Sequence, residues 1–203
     1  MTEKPVFLSY NEMFEQDVIR IANEGFGEGY MGIRKIKSLA ADEGPFYIAS
    51  VSGKAVGYCC FQYVSAQACA ESLKLPEAVL LENAGAAGNV CLTRTMSVTN
   101  LYRKSGIADK LFSLCLNDAV NAGLPSAWGG AWKIGAKIPM RRIFLANRFR
   151  CYGEVPLIWY EESGYRCSVC NGPCRCTGVI YYKLLGPDVF CMDGKAANGG
   201  GTG

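Results

Sequence analysis

The chain has 203 residues, half of them hydrophobic and 19% charged, with a net charge of +3 and no histidine. That length and balance fit one globular domain and exclude a disordered chain; no apolar run approaches the roughly 18 residues of a membrane span. Without histidine, every Ser-His or Cys-His mechanism, histidine-ligated metal and histidine base is excluded, so proton transfer falls to Asp, Glu, Tyr, Cys, Lys or water.

In chain order, Val6 to Leu8 read as a short strand. Ser9 with Glu12 makes a capping-box pattern, and Phe14, Val18, Ile21 and Ala22 recur at helical spacing, which predicts a helix from residue 10 to about 24. Gly25, Gly27, Gly29 and Gly32 predict a flexible loop carrying Phe26, Glu28, Tyr30 and Met31. Residues 33 to about 41 follow as a short helix. Residues 45–51 and 54–64 are β-rich and joined by Ser52-Gly53, a hairpin signal. Between 65 and 89 only residues 76–83 read as helical turns, before Gly85-Ala86-Ala87-Gly88. Residues 90–98 read as a strand, 100–105 as a loop, and 106–122 as the clearest helix, with Ala108, Leu111, Phe112, Cys115, Ala119 and Ala122 on one apolar stripe. Gly123 and Pro125 stop it. A strand at 126–132, a helix at 154–163 with Pro156 in its first turn, a strand from Tyr165 onward and a last strand at 178–185 complete the chain. The order β–α–α–β–β–β–α–β–α–β–β predicts one α+β domain on a mixed sheet over residues 1–187, with a Gly-rich tail at 188–203.

The segment Val98-Thr99-Asn100-Leu101-Tyr102-Arg103-Lys104-Ser105-Gly106-Ile107-Ala108 runs from a strand through a loop into that clearest helix. The first turn of a helix presents unpaired N–H groups and the positive dipole end. Gly106 and Ala108 let an anion approach the backbone, and Arg103 and Lys104 add charge, so a pyrophosphate suits the site. The spacing is neither a Walker loop nor a GxGxxG fingerprint.

This segment resembles motif A of the GCN5-related N-acetyltransferases (GNAT), in which a strand is followed by Arg/Gln-x-x-Gly-x-Gly/Ala; here the match is Arg103-Lys104-Ser105-Gly106-Ile107-Ala108. Downstream, Trp159-Tyr160-Glu161-Glu162-Ser163-Gly164-Tyr165 resembles the family's aromatic-Tyr-Glu-x-x-Gly-Phe/Tyr signature at the end of its fourth helix. The resemblance covers about residues 6–185. It implies a GNAT-like fold in which acetyl-CoA lies between two splayed parallel strands, 90–98 and 126–132. It implies that Arg103, Lys104, Ser105, Gly106, Ile107 and Ala108 form the pyrophosphate loop, with the backbone N–H groups of Lys104, Gly106, Ile107 and Ala108 as its donors. The main chain of Met96 and Val98 would pair with the pantetheine arm, and the Met96 N–H would stabilise the oxyanion. Tyr160 would be the general acid for the leaving thiolate. Leu92 stands where members with a glutamate base carry it, and Gly153 where an asparagine is usual, so the base falls to water, Glu28, Glu82 or Glu154.

Residues 133–153 carry Lys133, Lys137, Arg141, Arg142, Arg148 and Arg150 and no acid. They read as a basic insertion, either a solvated amphipathic face or a recognition surface for the CoA 3′-phosphate or an anionic substrate. Nucleic acid is the weaker partner, since it favours a larger positive charge and exposed stacking aromatics.

Eleven cysteines and a start, Met1-Thr2-Glu3-Lys4-Pro5, unlike a signal peptide predict a cytoplasmic protein with reduced thiols. Cys59, Cys60, Cys69, Cys91, Cys115, Cys151 and Cys191 read as small core residues. Cys167, Cys170, Cys174 and Cys176 form C-x₂-C-x₃-C-x-C, four thiolates for one tetrahedral ion, a structural Zn²⁺ or an iron–sulfur cluster, clamping the tip of the last hairpin. The expected function is acetyl transfer from acetyl-CoA to a small-molecule or peptide amine, where Arg94 would repel an ammonium acceptor or attract an anionic one. The other reading is a CoA-fold module that has lost its base and binds an acidic partner or nucleic acid.

Overall fold

The computed structural model describes residues 3–84, 88–160 and 164–185; side-chain placement is described for these except 83 and 84. The expected loop at 85–88 and the last residues of the expected helix at 154–163 fall wholly or partly outside them, as do the tail at 188–203 and Cys191. Nine strands and six α-helices occur among the described residues: β1 (Val6–Ser9), α1 (Glu15–Phe26), β2 (Gly27–Glu28), α2 (Ile33–Ala41), β3 (Phe46–Val51), β4 (Lys54–Ser65), α3 (Ala66–Leu73), α4 (Glu77–Ala84), β5 (Asn89–Val98), α5 (Ile107–Asn121), β6 (Ser126–Lys133), α6 (Arg141–Ala146), β7 (Arg150–Val155), β8 (Arg166–Cys167) and β9 (Thr177–Leu184).

The main sheet has seven strands in the order β1-β3-β4-β5-β6-β9-β7, and β2 pairs with β8 in a separate ribbon. Every pairing is antiparallel except β5 with β6. Strand alternation sends Cys59 and Phe61 of β4 into a core under α5 and α6, and Tyr58 and Cys60 into a core under α1 and α2. α3 and α4 cover Val90, Leu92 and Trp128. Among the described residues no helix is long and apolar enough to cross a membrane.

Several expectations need correction. Asn11, not Ser9, caps the first helical turn: its side chain accepts from the Met13 N–H, while Ser9 ends β1. Residues 66–73 form α3, where Ser65 accepts the Ala68 N–H as N-cap. The glycine-rich loop is shorter than expected, because α1 runs to Phe26 and Gly27–Glu28 pairs with Cys167 and Arg166. A β-carbon on Gly27 would lie 1.9 Å from the Arg166 carbonyl oxygen, so only glycine allows this approach. The basic stretch is no insertion: it supplies α6 and the edge strand β7. Among the described residues no helix follows Glu154, since β7 holds that residue and the chain reverses at Leu157, whose φ is 55. The last hairpin is therefore β7–β9, and the cysteines lie in its connection; the strand before them, β8, carries Cys167 and pairs with β2 rather than with β9. Cys151 is exposed on β7, not in the core.

Candidate active site and metal centre

β5 and β6 pair over only Cys91, Leu92 and Thr93 against Ala127, Trp128 and Gly129. At their last shared pair a β-carbon on Gly129 would lie 1.9 Å from Thr93 Oγ1, so glycine lets the strands meet there. Beyond it they part, and the wedge opens into a cleft of about 390 Å³.

Backbone alternation decides what β5 offers this wedge. Thr99 donates its N–H to Val56 O at 2.9 Å. Successive residues of a strand point their N–H and C=O groups to opposite sides. The polar groups of Ser97 and Thr95 therefore face β4, and those of Met96 and Val98 face the wedge. Arg94 interrupts the ladder further up: Cys60 pairs with Thr95 and Phe61 with Thr93, leaving Arg94 as a bulge. A bulge shifts side chains to the other face. Thus Leu92 packs under α3, while Met96 packs towards α5.

α5 opens at the mouth of the cleft. Gly106 caps it with φ 83, and Lys104 also has a left-handed φ of 62. Glycine adopts this conformation without a Cβ penalty. Among the described residues, chain neighbours aside, no atom stands within 4 Å of a β-carbon built on Gly106, so the backbone is open to a ligand. Ile107 is buried and anchors the helix start. Ser105 Oγ donates to Tyr102 O at 2.5 Å, which shapes the turn. Arg103 Nε donates to Val98 O at 3.0 Å, and Arg103 and Ala108 both line the cleft. The arrangement joins unpaired helix N–H groups, a positive dipole end and a guanidinium.

The far wall is aromatic. Phe26 lies 4.4 Å from Tyr30 and 5.6 Å from Trp132 between ring centroids, and Tyr30 meets Tyr165 edge to face at 5.3 Å. Tyr30 donates its hydroxyl proton to Thr95 Oγ1 at 3.1 Å, and Tyr58 OH lies 2.9 Å from the same oxygen. Trp132 Nε1 is buried with no hydrogen-bond partner among the described residues. Leaving such a donor unpaired costs about 1–3 kcal/mol. An annex of about 50 Å³, whose lining includes Lys35, Ser72, Leu92, Arg94 and Trp159, adjoins this wall. Among the described residues neither cleft nor annex is lined by Asp, Glu or Cys. Glu28 and Glu82 are exposed elsewhere, and Glu154 is held by Lys133 Nζ at 2.5 Å.

Met96, Val98, Arg103 and Ala108 are thus gathered at one cleft. Tyr160 is not: it is 45% exposed, lies in a turn in which its N–H bonds Leu157 O, and is absent from the lining. The helix that does follow β6 is α6, which ends on Arg148 at φ 62 and then Phe149, whose N–H bonds Phe144 O at 3.0 Å. This closure is a Schellman motif. Setting the aromatic-Tyr-x-x-x-Gly-aromatic pattern on this closure puts Arg148 in place of the glycine and Phe144 in place of the tyrosine. Phe144 is buried, stacks on Tyr181 at 4.7 Å and carries no hydroxyl. Sequence reasoning missed the aromatic wall; its signal was Phe26 and Tyr30 beside the glycines.

The four cysteine sulfurs of 167, 170, 174 and 176 lie within 4.8 Å of one another, Cys170 to Cys176 at 3.5 Å and Cys167 to Cys176 at 4.0 Å. Zn–S bonds of about 2.3 Å in a tetrahedron set sulfurs about 3.8 Å apart, so the group fits one ion. An iron–sulfur cluster distributes its thiolates over several irons and needs wider spacing. The N–H groups of Cys170 and Arg175 point at the sulfurs of Cys167 and Cys170, at 3.4 and 3.2 Å. Burial pushes the Cys170 thiol up, but the Arg175 N–H and the neighbouring thiols outweigh it and hold it below the ordinary value. Cys167, Cys174 and Cys176 pack against Trp132, Trp159 and Tyr165 of the cleft wall.

No protein-family model matches the chain, and no curated protein matches it. Solved structures do. The chain is similar to the ribosomal-protein-S18-alanine N-acetyltransferase from Escherichia coli, at 10% identity, TM-score 0.62, and coverage of 93% of this chain and 98% of that one. It is similar to an N-acetyltransferase from Staphylococcus aureus Mu50, at 12% identity, TM-score 0.63, and coverage of 91% and 100%. It is also similar to Arabidopsis thaliana NAA60 in complex with a bisubstrate analogue, at 14% identity, TM-score 0.67, and coverage of 89% and 98%. Sheet order, splayed central strands and these likenesses agree: the chain has the fold of the GCN5-related N-acetyltransferases.

Proposed function

We propose that the protein transfers an acetyl group from acetyl-CoA to a primary amine by direct attack. The observation that carries this reading is the wedge between β5 and β6, with the backbone of Met96 and Val98 facing it and the Gly106 cap of α5 at its mouth. The pyrophosphate sits on the N–H groups of residues 104–108, and the pantetheine arm lies along Met96 and Val98. The amine nitrogen attacks the thioester carbonyl carbon, and the Met96 N–H takes the developing oxyanion, a contact worth about 3–4 kcal/mol where such donors have been removed. The C–S bond then breaks. The thiolate takes a proton from a phenol of the cleft wall, Tyr30, and the extra proton of the new amide returns through water to the Tyr30 phenolate. Tyr30 fits this role because its hydroxyl is held by Thr95, the residue before Met96.

Cys167, Cys170, Cys174 and Cys176 would hold one Zn²⁺, and four thiolate ligands would make its contribution structural. A cytoplasmic setting, where thiols stay reduced, suits this group. Release of CoA thiol from acetyl-CoA against a panel of amines tests the activity; calorimetric binding of acetyl-CoA without thiol release from any amine would leave a binding module.

A further inference from the structure

We infer that the acceptor is a small amine bearing a carboxylate, an α-amino acid with an apolar side chain, and that Arg94 receives the carboxylate in the annex. The inference rests on the acetyl-transfer reading and names the substrate class of that same cleft.

The annex adjoins the cleft and shares Tyr30, Thr93, Arg94, Thr95, Gly130 and Trp159 with it. Its volume of about 50 Å³ suits a group of three or four non-hydrogen atoms, since one water takes about 10–15 Å³ on the same measure. Arg94 stands two residues up β5 from Met96, which is about 7 Å at 3.3–3.4 Å per residue. A carboxylate two bonds from an amine spans that gap once the guanidinium reaches towards it. The bulge at Arg94 aims this side chain, as bulges beside active sites do. Its hydrogen-bond partner among the described residues is Ser72 Oγ at 3.5 Å, at the limit of such a contact, so the guanidinium keeps donors for a ligand.

The rest of the lining agrees in sign. Arg94 and the unpartnered Trp132 Nε1 are donors only, and no carboxylate lines the cleft or annex among the described residues. Such a lining complements an electron-rich ligand. The rings of Phe26, Trp132 and Tyr165 leave an apolar wall for the remainder.

The test compares L-phenylalanine with L-phenylalaninamide as acceptors, using the full chain and acetyl-CoA. Wild type is expected to favour the acid by roughly 10- to 100-fold in kcat/KM, the scale of a hydrogen bond to a charged group. Arg94→Gln is expected to erase that preference by lowering turnover of the acid while the amide stays unchanged, and Arg94→Lys to restore part of it. Equal or better use of the amide by wild type overturns the inference, as does equal damage to both acceptors in Arg94→Gln. If neither is turned over, calorimetry on the CoA-saturated protein decides: heat with phenylalanine lost in Arg94→Gln supports the carboxylate site, and no heat overturns it. Failure of acetyl-CoA itself to bind overturns instead the acetyl-transfer reading beneath it.

Discussion

Ser168 donates its N–H to the carbonyl oxygen of Phe26 at 2.9 Å. With it, Ser168 Oγ reaches Gly25 O at 3.3 Å, and β8 pairs with β2. The chain beside Cys167, the first of the four clustered cysteines, is thereby tied to the segment that presents Phe26 and Tyr30 to the cleft.

Removal of metal is therefore expected to act on the acceptor wall before it acts on the CoA loop. Protein purified without added metal should contain about one zinc per chain. Chelation, or Cys174→Ser, should lower the Tm at about 2–4 °C per kcal/mol of lost stability. It should raise the acceptor KM while the Kd for acetyl-CoA from calorimetry stays unchanged. A metal-free chain with wild-type melting and acceptor KM would make the cysteine group a separate appendage.

Gly106→Glu should abolish acetyl-CoA binding while the circular dichroism spectrum is retained. The carboxylate would occupy the phosphate position, and a non-glycine residue in the left-handed region costs about 1–2 kcal/mol by itself. Gly106→Ala separates the two effects, since it carries the strain without the charge. Undiminished affinity in Gly106→Glu would move the pyrophosphate elsewhere.

Tyr30→Phe is expected to lower turnover by roughly 10²–10⁴ with little change in acetyl-CoA affinity. Tyr160→Phe should stay near wild type, because Tyr160 is exposed and does not line the cleft. The opposite ranking in a single-turnover measurement would return the general acid to Tyr160.

Much of the fold was legible because period and punctuation agree. Phe14, at the N-cap of α1, and Val18, Ile21 and Ala22 on it are all buried, and Ser52-Gly53 turns β3 into β4. The Gly106 cap was visible as a glycine opening an apolar stripe. What failed was the second signature. The stretch Trp159-Tyr160 matches it in letters, but the physical content of that pattern is a helix closed by a left-handed residue and an aromatic. Arg148 and Phe149 carry that geometry without the glycine that would have marked it. The pairing of β2 with β8 joins residues far apart in sequence, and a two-residue strand has no periodicity to read.

Initial velocities with both substrates varied should give intersecting double-reciprocal lines. No cysteine lines the cleft or annex among the described residues, so no thiol there accepts the acetyl group covalently. Parallel lines, or acetylated protein in a mass spectrum after mixing with acetyl-CoA alone, would point to a covalent route.

Stability in alkali has a local determinant. Tyr47 donates its hydroxyl proton to Asp118 Oδ2 at 2.8 Å. That hydrogen bond, with burial and the carboxylate charge, pushes the phenol up to about 12 from an ordinary value near 10. The folded state thus favours the protonated phenol. Its stabilising contribution is full below pH about 10 and is lost as the pH rises through about 12. Tyr47→Phe should flatten this part of the curve of Tm against pH, and an unchanged slope would remove the assignment.

The short seam between β5 and β6 has a mechanical meaning. Three residue pairs join β1-β3-β4-β5 to β6-β9-β7, so the sheet is two half-sheets hinged at Cys91 to Thr93. A molecule that fills the wedge and bonds to the Met96 backbone acts as a splint across this hinge. The co-substrate would then be a building element of the sheet as well as a reactant, and its arrival would stiffen the face on which the acceptor lands.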